Sequence, residues 1–229
     1  MFRILSAFRR LNSFQIIVLG FAFVILLGTG LLMLPVSSAQ KVWTPFINAL
    51  FTAVTSVCVT GLVVYDTGTY WSAFGHAVIL LLIQIGGLGV VTISASFTII
   101  SGKKIGLSQR SIMAESVSAP QIRGIVRLTG FIVKVALTVE LIGALLLIPV
   151  FSRDFGSLRG IWMAVFHSVS AFCNAGIDLM GCRGLYSSMT AYAYDPLLNF
   201  TLMLLIIIGG IGFLTWDDIH SNGYHFSRY

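Results

Sequence analysis

Charge is the scarcest property of this sequence. Asp, Glu, Lys and Arg make up 10% of the 229 residues, and the carboxylates number only eight. A soluble domain of similar length is roughly one quarter charged, so soluble enzymes and soluble binding modules are excluded. Cysteine is scarce too. Cys58, Cys173 and Cys182 form an odd set without paired spacing. That pattern supports neither a disulfide framework nor a metal signature, and the three are read as small buried residues. Nucleophile–base arrangements, phosphate loops and metal-ligand spacings are missing as well. The chain is therefore read as a non-enzyme, without cofactor, that does not itself bind nucleotide. His76 and His167 stand alone and are read as packed or hydrogen-bonded side chains.

Apolar length is abundant. Hydrophobic residues make up 57% of the chain, and mean hydropathy is +0.95. Several runs approach or exceed the ~20 residues that span a bilayer. The expected class is an all-α integral membrane protein. The run at 16–34 follows Arg3, Arg9 and Arg10 and so resembles the start of a signal peptide. It is long, however, and no small-x-small cleavage site follows, so it is read as a retained helix.

Net charge is +6, but topology explains it without nucleic acid. Arg3, Arg9, Arg10, Lys103, Lys104, Arg110, Arg123, Arg127 and Arg228 fall in segments assigned to one side. Lys41, Arg153, Arg159 and Arg183 fall on the other, and Lys134 lies within a membrane run. Positive charge marks the cytoplasmic side, which places the N-terminus there.

The chain divides into two similar halves. A first unit spans 1–100, a basic cytoplasmic linker 101–125, a second unit 126–216 and a cytoplasmic tail 217–229. In the first unit a crossing (16–34) precedes a short apolar run (45–57), a loop (58–69) and a long apolar segment (71–100). The second repeats this at 127–150, 160–172, 173–195 and 196–216. "NALFTAVTSVCVTGL" from Asn48 matches "MAVFHSVSAFCNAGI" from Met163, and "LLIQIGGLGVVT" from Leu81 matches "LLIIIGGIGFLT" from Leu204. Two crossings return the chain to its starting side, so both halves share one orientation. Such repeats are related by an axis along the membrane normal, on which dipping elements meet.

Each short run holds about thirteen residues, roughly 20 Å of helix. That reaches mid-membrane and aims a helix C-terminus, with its partial negative charge and unpaired carbonyls, at the bilayer centre. Non-helical backbone there must be buried in protein or line water. Around Gly61 and Gly176 an extended return would turn carbonyls toward the axis in place of an ion's water. The alternative is a glycine that merely packs.

The same weighing applies elsewhere. Gly86, Gly87, Gly209 and Gly210 serve either close helix packing or a bend near the inner mouth. Glu140, near the centre of its crossing, is either a hydrogen-bonded structural group or a charge that tunes cation occupancy. Lys134 is expected to snorkel to the cytoplasmic interface. Asp178 is an outer-mouth charge or a plain loop residue, and Asp66 has a weaker version of the same claim.

The sequence resembles the Trk/Ktr/HKT family of potassium-uptake proteins, nearest to its KtrB branch. The residues that carry the likeness are "FTAVTSVCVTGLVVYDT" from Phe51, "QIGGLGVVTI" from Gln84, "FHSVSAFCNAGIDLM" from Phe166 and "IGGIGFLTWDDI" from Ile208. The resemblance implies tandem helix–pore loop–helix repeats of the potassium-channel type, in parallel orientation, in a bacterial cell membrane. It implies a K⁺ filter at Val59, Thr60, Gly61, Asn174, Ala175 and Gly176. It further implies passive or Na⁺-influenced permeation, a homodimer in membrane lipid and a cytoplasmic nucleotide-binding regulatory subunit of the KtrA kind. That partner would touch the linker and the tail. The family places four such units around one pore, whereas two are present here. The chain is expected to be the N-terminal half of a longer protein, or one of two chains that complete a ring. Rival readings are an alternating-access cation carrier, which predicts inverted repeats, and a non-conducting scaffold, which needs no glycine at both loops.

Overall fold

The computed structural model describes residues 12–101, 105–117 and 124–222. Arg3, Arg9, Arg10, Lys103, Lys104, Arg123 and Arg228, together with most of the expected tail, lie outside the described residues. Among the described residues the regular structure is all helix, without a strand; one antiparallel bridge joins Ser38 to Trp71.

Helix α1 (Ser13–Met33) starts in a capping box, with the Asn12 amide donating to Gln15 Oε1 at 3.0 Å. Pro35 follows its end, as expected of a residue that cannot continue a helix. Then come α2 (Phe46–Val57), the single turn α3 (Thr67–Tyr70), α4 (Ala73–Leu88), α5 (Val90–Ile100) and α6 (Leu107–Ser116). The second half holds α7 (Ile125–Phe155), α8 (Ser157–Phe172), α9 (Pro196–Gly210) and α10 (Phe213–Asn222). Helices α1 and α7 are long and apolar enough to cross a membrane, and the number of spans rises to four if each bent pair counts as one. This is an all-helical membrane protein.

The long apolar segments are each broken. The axis turns by 93° between α4 and α5 and by 90° between α9 and α10. The breaks fall at Gly89 and Gly212, with φ of +84° and +93°, where an L side chain would be strained. Gly86, Gly87, Gly209 and Gly210, read as packing or bend residues, remain helical beside these breaks, and Gly86, Gly87 and Gly209 lie in close approach to neighbouring groups. A β-carbon on Gly86 would strike the Val57 carbonyl, and one on Gly209 the Phe172 carbonyl. These are the same contact in the two halves.

Within each half the packing also repeats. Helices α1, α2 and α4 pack together, as do α7, α8 and α9. Gly28 of α1 lets Leu82 of α4 approach, and Gly143 of α7 does the same for Leu205 of α9. Leu32 and Leu147 are fully buried one turn further on. The halves join where α4 meets α8, where α5 meets α7 and where α3 meets the turn at Met180–Cys182.

Candidate functional site

Both short helices end in a cysteine C-cap and run into loops of the same backbone form. Val59 and Asn174 have φ of +48° and +59°, and Gly61 and Gly176 follow at +76° and +68°. Left-handed backbone at the same two places is a repeat in conformation as well as in sequence. The Thr60 amide donates to Thr55 O at 3.0 Å and the Ala175 amide to Ser170 O at 2.8 Å, again equivalent bonds. Leu62 N–H donates to Thr55 Oγ1 at 3.0 Å, and the Ser170 hydroxyl donates to Ile177 O at 2.6 Å. Helix-end groups thus fix both loops. Among the described residues, no hydrogen-bond donor reaches the carbonyls of Val59, Thr60, Gly61, Asn174, Ala175 or Gly176.

The loops also touch each other. A β-carbon on Gly61 would lie 2.7 Å from Ala175 O and 3.8 Å from Gly176 Cα. Ala175 is buried, Gly61 and Val59 are half-buried, and Thr60, Asn174 and Gly176 are exposed. The C-terminal ends of α2 and α8, each with about half a negative charge, therefore converge on one region.

Asp178 is half-buried and accepts the Met180 amide at 2.8 Å. With Asn174, Gly176, Ser188 and Ile206 it lines a cleft of about 210 Å³. A second cavity, of about 520 Å³, brings the two break points together: Gly86, Gly87 and Gly89 face Ile211, Gly212, Ser116 and Val117.

Other candidates resolve toward structure. Glu140 is buried behind the second loop, where Oε1 accepts Gln84 Nε2 at 2.9 Å and lies 3.9 Å from Cys173 Sγ. Its backbone carbonyl accepts the Ser168 hydroxyl at 2.6 Å. Gln84 was missed in the sequence, although a lone amide inside "LLIQIGG" is itself a signal. Asp66 caps α3 through the Thr69 amide and hydroxyl and accepts Tyr186 N–H from the other half at 2.8 Å. His167 Nε2 accepts the Leu179 amide at 3.1 Å while its Nδ1–H donates to Met163 O at 2.7 Å, which fixes the neutral tautomer. His76 Nε2–H donates to Thr67 O at 2.7 Å. Lys134 is exposed. Cys173 is buried as expected, whereas Cys58 and Cys182 are exposed.

A polar clasp that the sequence did not reveal ties the C-terminal end of α7 to the loop that leads into α9. Asp154 receives Arg183, Arg153 and the Tyr192 hydroxyl, the last at 2.8 Å. Burial, and then the bond to Asp154, push the Tyr192 phenol up to about 12.

The sequence profile of the TrkH family, described as a cation transport protein, matches residues 5–224. The chain is 42% identical over 217 residues to the potassium/sodium uptake protein NtpJ of Enterococcus hirae, which covers 95% of this chain and 47% of that protein. It is 39% identical over 208 residues to Ktr system potassium uptake protein B of Bacillus subtilis, covering 91% of this chain and 45% of the relative. With the Vibrio alginolyticus protein of that name, identity is 38% over 215 residues, or 93% and 46% of the two chains. The chain spans about half the length of the curated relatives it matches. It belongs to the TrkH family of cation transport proteins.

Proposed function

We propose that this chain conducts K⁺ across a bacterial cell membrane through a filter of backbone carbonyls. The ion would be bound by Val59, Thr60 and Gly61 from one loop and Asn174, Ala175 and Gly176 from the other. The observation that carries this reading is the set of six carbonyls that receive no donor among the described residues, on two loops whose amides are tied back to helix ends and which meet at Gly61 and Ala175. Unpaired carbonyls at membrane depth are costly unless something replaces their hydrogen bonds. A dehydrated alkali ion does so, and the carbonyls replace its water in turn. Left-handed residues alternating with the rest break the side-to-side alternation of a regular strand and bring successive oxygens toward one side.

The loops are then pore loops in parallel helix–loop–helix units, with the N-terminus cytoplasmic and Asp178 at the outer mouth. The cavity at Gly89 and Gly212 becomes the inner vestibule. Names of the relatives pair potassium with uptake, and one adds sodium, in line with Na⁺-influenced K⁺ passage. In keeping with the family resemblance of the sequence, a nucleotide-binding cytoplasmic subunit would regulate a dimer in the membrane. The test is K⁺-limited growth and K⁺/Na⁺ preference of uptake-deficient cells carrying the protein with Gly61→Ser or Gly176→Ser. Lost uptake or lost K⁺ preference is expected, and unchanged uptake and preference would refute the filter.

A further inference from the structure

The two loops touch at Gly61 and Ala175, and a little further along they touch again. Continued without a gap, the match of Gly61 to Gly176 pairs Asp66 with Gly181. These two residues pack on each other, since a β-carbon on Gly181 would fall on the Asp66 carboxylate. Gly68 repeats the close approach, because a β-carbon there would lie 2.5 Å from Leu179 O. The first half thus carries a side chain where the second half leaves room for it.

Asp66 is 7% exposed, and both of its oxygens are engaged. Oδ1 accepts the Thr69 amide at 3.0 Å and the Thr69 hydroxyl at 2.9 Å, and Oδ2 accepts the Tyr186 amide at 2.8 Å. The Tyr186 hydroxyl donates back to Val64 O at 3.2 Å. Tyr186 does so with φ of +58°, in the left-handed region that a bulky side chain rarely adopts. A carboxylate that the sequence suggests as a mouth charge is turned onto the backbone of the other half instead.

The two returns are supported unequally. After Gly176, Ile177 O accepts the Ser170 hydroxyl and the Leu179 amide donates to His167 Nε2, both within the second half. After Gly61, the first half holds the Leu62 amide through Thr55 and the Tyr65 hydroxyl through Asn48. Beyond them, Val64 and Asp66 lean on Tyr186 and Gly181 of the second half.

We propose that Asp66, with Gly181 and Tyr186, is a positioning brace. It holds the return of the first loop against the second half and so sets the spacing of the carbonyls that select K⁺ over Na⁺. One contact, at Gly61 and Ala175, leaves the loops free to splay about it, and a second contact fixes their angle. Discrimination by backbone oxygens depends on how many face the ion and how they are held. Such groups keep their geometry only when the groups behind them are locked. The inference rests on the filter reading.

The test reads K⁺/Na⁺ preference, per amount of protein in the membrane, in uptake-deficient cells carrying the protein. Asp66→Asn leaves one acceptor oxygen for donors on two sides. Gly181→Ala displaces the carboxylate from the opposite half without altering it. Each is expected to lower K⁺ preference several-fold, and the double substitution to lower it no further than either alone, as two changes to one contact do. Thr69→Val removes only a donor within the first half and is expected to leave the preference where it was. Tyr186→Phe keeps the amide bond and is expected to give a smaller fall in the same direction. Unchanged preference in Asp66→Asn, a fall as large in Thr69→Val, or losses that multiply in the double variant overturn the brace. Where neither Asp66→Asn nor Gly181→Ala reaches the membrane, Tyr186→Phe decides alone, and unchanged preference there refutes it. Gly61→Ser in the same cells separates the two readings. If it changes the preference while the brace variants do not, the brace alone is wrong; if it changes nothing, the filter reading falls and the brace with it.

Discussion

Gly61 stands where a β-carbon would come within 2.7 Å of the Ala175 carbonyl oxygen, so the two loops are in backbone contact. Gly176, at the matching place, faces open space. Both have positive φ, so any side chain costs about 1–2 kcal/mol in strain. At Gly61 that cost is joined by a clash with backbone that has no rotamer to relieve it. Gly61→Ala is therefore expected to reduce K⁺ uptake more than Gly176→Ala, as read from rubidium flux. Equal losses would contradict the asymmetry.

The glycines of the broken helices divide by role. Gly86→Ala and Gly209→Ala drive a methyl into the Val57 and Phe172 carbonyls and are expected to lower thermal stability in detergent by about 1–3 kcal/mol, the usual cost of overpacking. Gly89→Ala and Gly212→Ala meet no such obstacle at close range. Their effect is expected on the rate of flux, through the bend, with a stability loss of about 1–2 kcal/mol from strain.

Glu140 and Gln84 tie α7 to α4 behind the second loop. Gln84→Leu leaves the buried carboxyl short of a donor and is expected to destabilise by about 1–3 kcal/mol. Glu140→Gln keeps shape and most hydrogen bonding and is expected to fold and carry ions. Loss of K⁺ preference in Glu140→Gln with stability intact would instead make Glu140 a charge felt in the pore.

The clasp around Asp154 gives a pH dependence. The Tyr192 phenol is raised to about 12 by burial and its bond to Asp154, above its usual value near 10. A raised folded-state value means that the stabilisation is fully present below about pH 10 and is lost as pH climbs toward 12. Tyr192→Phe is expected to abolish that alkaline step in a melting series, at a cost near 1 kcal/mol at neutral pH.

The apolar helices were legible in the sequence because bilayer length is a local signal, and so was the paired left-handed backbone at Gly61 and Gly176, which two matched glycines announce. What stayed hidden depends on partners distant in sequence. Helix α7 runs past the expected end at 150 to Phe155, where Asp154 is held by Arg183 and Tyr192, which no periodicity connects to it. "GGLG" gave the bend but not its residue: only the third glycine of each motif has positive φ, because the first is pressed against a neighbouring helix end. Cys58 and Cys173 look alike as letters, and only the unequal cover on α2 and α8 separates an exposed thiol from a buried one.

The position of the ion decides between a filter at the two loops and a site elsewhere. Anomalous diffraction from crystals of the protein grown in rubidium should show a peak within carbonyl distance of residues 59–61 and 174–176. A peak only beside Glu140 or Asp178, or none near the two loops, would contradict it.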